Sequence, residues 1–505
     1  MYIICNSIYY IYIREILNYK HMSFKTDKQT LNDLSIFGNS RVKSIYNLFC
    51  RTNTSGGAKL LEIMFQNPLS DYEKINNRLS IINYYYDNKI EFPLNSTIFS
   101  PLEFYLSNTD KRSQLMAEHR VLEQKMKNLM GTNTEFSQIH LGIISCIELL
   151  TNLSSFLKTT RGDISSKNEN KSRGWSNSKL TGSHSKFDKK TVSNNNLANS
   201  KTNNEIVSKF YDKLSELLQN PALQIYKQDS GKKKISYDKA VNYDKVFRFE
   251  QRDKLLEILD YVYRLDVYIT VAKVARDNNF HFPEVFEASR NILSIKGMFH
   301  PFLDKPISND LVVDKDSNII FLTGANMAGK STFMKTFGIV VFLSHMGFPV
   351  PAEAMQFSVH SGLYTTINLP DNIKMGYSHF YAEVLRLKKV AIEVKNTENL
   401  VIIFDELFRG TNVKDAHDAT IAVTEAFSHI HNCTFLISTH IMEAGEILKD
   451  KCSNINYIYL PTKMDGNIPI YTYKLKEGIT NDRHGMMIVN NEHIIEIIKN
   501  GEGAQ

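Results

Sequence analysis

Between Ile319 and Thr332 the chain reads IIFLTGANMAGKST, and this stretch leaves little choice of local fold. The apolar run Ile319–Leu322 suits a strand buried on both faces. The residues after it fit GxxxxGK[ST], with Gly324, Gly329, Lys330 and Ser331 at the fixed positions. Glycines at those points let backbone N–H groups curl around phosphate oxygens, and a helix N-terminus adds its positive end. The expected nucleotide contacts run through Gly324, Ala325, Asn326, Met327, Ala328, Gly329, Lys330, Ser331 and Thr332. Lys330 would reach the β- and γ-phosphates of ATP, and the Ser331 hydroxyl would ligate Mg²⁺. A glycine-rich turn with no ligand has the same local pattern, so the reading needs a second motif.

That motif is Leu400-Val-Ile-Ile-Phe-Asp-Glu406. An apolar strand ending in a carboxylate delivers Asp405 to the C-terminal edge of a sheet, where it would hold Mg²⁺ through water. Glu406 would polarise the attacking water as general base. A third run, Thr434–Ser438, leads to Thr439 and His440. A histidine at a strand end serves structure as readily as chemistry. Beside the other two motifs, His440 is expected to contact the γ-phosphate or the attacking water.

Short apolar strands alternating with helical stretches from about residue 285 predict a parallel sheet covered on both faces. Upstream the pattern is helical. Leu255, Ile258, Leu259, Val262, Leu265, Ile269 and Ala272 follow helical spacing over Asp253–Asp277, a helix of ~40 Å able to act as a lever. Arg112–Gly131 and Ile139–Leu157 carry further apolar stripes, read as core packing. Residues 159–204 are rich in Ser, Asn, Lys and Thr, a composition unable to offset chain entropy, and are expected to be a disordered insertion that includes Trp175.

The resulting division is 1–22 as a non-structural extension, 23–158 as helical core, 159–204 as insertion, 205–284 as core and lever helices, and 285–505 as the nucleotide domain. Residues 1–21 read as the product of an upstream start codon, with Met22 opening a more ordinary polar start. They are too short and lack the flanks for a membrane helix or a secretory signal. No other apolar run reads as long enough to span a bilayer. The five scattered cysteines form no CxxC pair, which suits reduced thiols and a cytoplasmic setting. A formal charge of +6 is compatible with a phosphate-rich partner and does not require one.

Together these motifs resemble the MutS family within the ABC-type ATPases. TGANMAGKST departs from the family's TGPNMAGKST at Ala325, and DELFRGTNVKDA resembles DELGRGTS, with Phe408 replacing glycine and Asn412 replacing serine. Asp371–Phe380 followed by Glu383 resembles DDLxxGxSTFxxE. In the family that serine reaches the γ-phosphate held by the other subunit, a role that would fall to Ser378. Upstream, LFCRTNTSGGAKLLEIMFQNPLSDYEKINNRLSIINY is similar to the family's helical core, matching at Arg51, Thr52, Thr54, Gly57, Leu60, Leu61, Pro68, Leu69, Asp71, Ile75, Arg78 and Leu79.

The resemblance implies a multidomain chain, an all-α core and lever domain followed by an α/β P-loop ATPase domain of ABC type. It further implies ATP and Mg²⁺ as cofactors, DNA as partner, a homodimer and no membrane. The implied function is ATP hydrolysis at composite dimer sites in DNA mismatch repair or a related pathway. The alternative is an ATP-gated structural clamp or adaptor that organises protein partners or DNA junctions without mismatch recognition. A transporter motor subunit is disfavoured, because no LSGGQ-like segment is present. Three family features are not found: an N-terminal mismatch-recognition domain with its Phe-x-Glu wedge, room for a full DNA clamp, and full-length dimerisation helices after Gly485.

Overall fold

Continuous apolar runs become the central strands of a sheet, as their composition requires. The computed structural model describes residues 24–38, 43–116, 134–171, 205–368, 379–465, 468–480, 493 and 497. The strands, in chain order, are β1 (Glu284–Phe286), β2 (Leu293–Met298), β3 (Asn309–Val313), β4 (Ile319–Gly324), β5 (Ala354–Ser358), β6 (Gly362–Thr366), β7 (Leu400–Asp405), β8 (Thr434–Ser438), β9 (Ile455–Leu460), β10 (Thr462–Asp465), β11 (Ile468–Tyr471) and β12 (Lys476–Glu477). Among the described residues a six-stranded sheet has the order β12-β9-β4-β8-β7-β6. From β9 to β6 all neighbours are parallel, and β12 is an antiparallel edge on β9. A second, mixed sheet of order β1-β5-β2-β3, which no sequence pattern announces, pairs β1 parallel to β5 and the rest antiparallel.

Both faces of the larger sheet are covered, as its double-sided burial demands. On one face Ile319, Phe321, Leu400, Ile402, Phe404, Phe435 and Ile437 form a core with residues of three helices. Those helices are α3 (His379–Asn396), α4 (Val413–Ser428) and α5 (Met442–Lys451), numbered after α1 (Lys28–Asp33) and α2 (Lys330–His345). On the other face lies α2. A Cβ at its Gly338 would sit 3.4 Å from Ile403 and only 2.6 Å from Leu34, so glycine is what lets the elements approach.

The chain divides into two units, each assembled from separate stretches. One includes Cys50–Ile63 and Ser80–Lys273; the other includes Met22–Phe49, Met64–Leu79 and the chain from Val274 onward. Met22–Phe49 and Met64–Leu79, expected from the sequence to lie in a helical core spanning 23–158, therefore belong with the sheets. Their side chains show why. Phe65 packs on Phe342 and Phe348, with ring centroids 6.2 and 6.0 Å away, and the Arg78 guanidinium donates to the Met346 carbonyl at 2.6 Å.

The helical unit is held by buried carboxylates as well as apolar packing. Asp244 and Arg248, both fully buried, pair at 2.7 Å. Asp244 also accepts from the Tyr105 hydroxyl at 3.0 Å and from the Leu115 amide at 3.0 Å. Asp266, in the helix Arg252–Asp277, accepts from the backbone and side chains of Asn53 and Thr54. That helix spans 26 residues, close to the helix expected over Asp253–Asp277.

Three expectations meet different outcomes here. The helix Thr134–Lys171 runs past residue 159, into the stretch read as disordered; 172–204, with Trp175, lie outside the described residues. Its portion Thr134–Thr160 is long and apolar enough to cross a membrane, with mean hydropathy 1.4, which corrects the reading that no run is. Half of that window is buried inside the protein, and Ile143, Cys146, Leu149, Leu150 and Leu153 are fully enclosed, as in a core helix. Of the helix expected at 112–131, Lys111–Ser113 forms a single 3₁₀ turn, and 117–133 are outside the described residues.

Candidate functional site

Three adjacent parallel strands, β4, β8 and β7, end at the same edge of the sheet, and each carries sequence-predicted site residues to it. Pairing of Leu322 with Ser438, and of Ser438 with Asp405, sets this register. The loop 325–329 leaves β4 and feeds α2 at Lys330. Gly329 sits at φ 101, where a side chain is strained, and a Cβ there would come within 3.0 Å of the Tyr473 ring.

Lys330 is 5% exposed, and its ammonium donates to the Gly324 carbonyl at 2.7 Å and to that of Ala325 at 3.3 Å. Burial pushes its pKa down, while Glu406 and Asp405 draw it up. The Ser331 hydroxyl donates to Asp405 Oδ2 at 2.7 Å across 74 residues of sequence. Asp405 Oδ1 is buried without a hydrogen-bond partner. Burial raises the Asp405 pKa, opposed by the bond from Ser331.

Glu406 comes directly after the strand at φ 50, and its amide donates to the Ser438 carbonyl at 2.9 Å. Its Oε2 accepts from Arg409 Nε at 2.5 Å and lies 3.8 Å from His440 Nδ1. His440, then Arg409 and Lys330, hold the Glu406 carboxyl at about 2, against the upward push of burial. So Lys330, Ser331, Asp405, Glu406 and His440 converge at one sheet edge. Ser378 lies outside the described residues.

A cavity of about 740 Å³ opens over the loop, lined by Ala325–Thr332, Glu406 and Arg409 together with His300, Leu303, Ile307 and Tyr473. That is within the ~300–1,000 Å³ of small-molecule sites. The last of these lining residues is invisible in the sequence. Tyr473, at φ 54, is held by Asn309, whose amide donates to the Tyr473 carbonyl at 2.9 Å. Only the return of the chain after β11 brings this aromatic to the loop, and no motif marks it.

The family model for MutS domain III matches residues 29–272, and that for MutS domain V matches 320–503, in this order along the chain. The chain belongs to the MutS family. It is 24% identical over 549 residues to the DNA mismatch repair protein MutS of Petrotoga mobilis, covering 95% of this chain and 65% of that protein. The MutS proteins of Fusobacterium nucleatum and Clostridioides difficile are 24% and 23% identical, over 86% and 87% of this chain and 54% and 52% of theirs. The chain thus spans between about half and two thirds of the length of these relatives.

One departure from the MutS pattern now has a physical reading. Phe408 stands where the family block has glycine, and its φ of 67 is the left-handed conformation that favours glycine. The side chain is buried at 6% exposure and packs on Phe380, with centroids 6.0 Å apart. Aromatic burial offsets a backbone strain of about 1 kcal/mol. Ala325, another of the changes, keeps its carbonyl directed at Lys330.

Proposed function

We propose that this chain is the ATP-binding and ATP-hydrolysing part of a MutS-type DNA mismatch repair protein. The observation that carries the reading is the Ser331–Asp405 bond beside the orphaned, buried Asp405 Oδ1, set directly next to the lysine of a phosphate-binding loop. This donor set fits Mg²⁺, which takes few protein ligands and completes its shell with water and phosphate oxygens. Ser331 and Asp405 would hold the ion, and its chemistry would be to neutralise charge on the β- and γ-phosphates.

The residues divide the remaining work. Lys330 exchanges its loop carbonyls for phosphate oxygens, and the amides of 325–329 surround them. Glu406, ionised over the working pH range, orients the attacking water, with His440 at its side. Tyr473 and Leu303 offer apolar walls to the nucleobase. Ser378 acts across a homodimer, and the helix Arg252–Asp277 couples nucleotide state to the helical core. DNA is the proposed partner.

The second reading, an ATP-gated clamp that hydrolyses slowly, draws on one observation: Arg409 donates to a carboxylate oxygen of Glu406, the proposed water-orienting group. Steady-state ATP turnover, measured with no DNA and with homoduplex, mismatched and branched DNA, separates the two. The repair reading expects a several-fold change with one DNA form, and a steep fall of DNA affinity with salt, as phosphate contacts release counterions. Turnover indifferent to every DNA form contradicts it and favours the clamp.

A further inference from the structure

Residues 24–34 lie far in sequence from every motif, yet they grip two elements beside the site. Lys25 joins the edge strand β6, its amide donating to the Ser361 carbonyl at 2.8 Å and its carbonyl accepting from Leu363 at 2.9 Å. Asp33, 2% exposed, fixes the end of that strand. It accepts from the Thr365 hydroxyl at 2.7 Å and from the amides of Ile367 and Asn368 at 2.9 and 3.0 Å. Asp27 caps α1 through the Thr30 amide at 3.0 Å and pairs with two cations of α3, Arg386 and Lys389, the latter at 2.9 Å. Arg386 is only 8% exposed, and it also donates to the Thr365 carbonyl at 2.6 Å and the Thr366 hydroxyl at 3.2 Å.

The other end of this chain of contacts is Glu406. The first turn of α3 abuts the loop that carries it: a Cβ on Gly410 would lie 2.5 Å from the Phe380 nitrogen. The Gly410 amide reaches Glu383 at 3.5 Å, and Phe380 packs on Phe408. Beside this contact a cavity of about 140 Å³ is lined in part by Asn368, Glu383, Phe404, Glu406 and Arg409. Beyond the Glu406 amide bond to Ser438, the loop leans on α3, which the sheet core holds on its apolar side and Asp27 holds through two cations.

We infer that Asp27 and Arg386 are positioning residues for Glu406, acting through α3 on the loop Glu406–Gly410. The inference rests on the reading of Glu406 as the group that orients water. A role limited to covering the sheet edge would need only the backbone pairing at Lys25 and the bonds of Asp33. It would not need a buried guanidinium on α3 held by a carboxylate from another part of the chain.

The test compares the full chain with Asp27→Asn, which keeps shape and removes charge, and with Asp27→Glu, which restores it. Hydrogen exchange is monitored by mass spectrometry alongside ATP turnover. In Asp27→Asn, exchange is expected to quicken in peptides covering 379–388 and 406–410, and to be unchanged over 319–332. The turnover number falls about tenfold with KM for ATP altered less than about twofold, because misplacement affects orientation and not binding. Asp27→Glu recovers most of the loss. Faster exchange confined to 24–34, or turnover equal to wild type, overturns the inference. A wild-type chain with no ATP turnover instead removes the assignment of Glu406, and the exchange pattern still decides whether Asp27 holds the loop.

Discussion

Replacing Glu406 with glutamine is expected to lower ATP turnover by about two to four orders of magnitude, the usual contribution of a positioned general base. The substitution keeps size and hydrogen-bonding capacity and removes the negative charge that aligns water for attack. Nucleotide binding should survive, because the loop amides, Lys330 and the Ser331–Asp405 pair do not depend on that charge for their geometry. Backbone placement should survive too, since the Glu406 amide bond to Ser438 is independent of the side chain. Single-turnover hydrolysis with labelled ATP, beside equilibrium binding, reads both halves. Turnover above a tenth of the wild-type rate would assign the water to another group.

The second large effect is on stability. Asp266→Ala should destabilise the helical unit by about 3–5 kcal/mol, the range for stranding buried polar partners. Asp266 is fully buried and accepts four bonds: from the Asn53 amide at 3.0 Å, Asn53 Nδ2 at 2.9 Å, the Thr54 amide at 2.8 Å and the Thr54 hydroxyl at 2.7 Å. Alanine would leave the buried Thr54 amide and hydroxyl without this acceptor, and would open a void beside Gly57. A Cβ on Gly57 would come within 2.6 Å of Asp266 Oδ2, so the turn is built around that carboxylate. Chemical denaturation monitored by circular dichroism gives the difference, and a change below about 1 kcal/mol would show that the turn finds other partners. The same contacts give the RTNTSGG stretch a structural meaning: Thr54 both caps the next helix, through the Gly57 amide at 2.9 Å, and binds Asp266.

How much of the fold is legible in the sequence depends on which signals are local. The runs at Ile319, Leu400 and Thr434 become β4, β7 and β8 because uninterrupted apolar residues have no stable place except between two layers. Strand β6 was not visible. Gly362-Leu-Tyr-Thr-Thr366 is wholly buried, but its polar Thr365 is tolerable only because Asp33 and Thr30 supply hydrogen bonds from more than 300 residues away. Strand β9, with its asparagine and two tyrosines, reads as a loop until β4 lies beside it. The second sheet joins strands of three to six residues, too short to carry a period.

The site divides the same way. Lys330, Ser331, Asp405 and Glu406 could be named because strand-end chemistry has a fixed spacing relative to the strand that delivers it. Tyr473 could not, since its approach depends on the chain returning after β11. Asp27 and Asp33 look in sequence like the polar opening of an exposed helix. Only their burial against β6 and α3 shows otherwise.

The measurement that bears most directly on the proposed nucleotide site is equilibrium binding of a fluorescent ATP analogue, with Mg²⁺, to the full chain and to Lys330→Ala. A charged hydrogen bond of ~1.5–3 kcal/mol to phosphate predicts affinity at least about tenfold weaker in the variant, with the fold retained. Equal affinity in the two proteins would contradict a phosphate site at Gly324–Ser331.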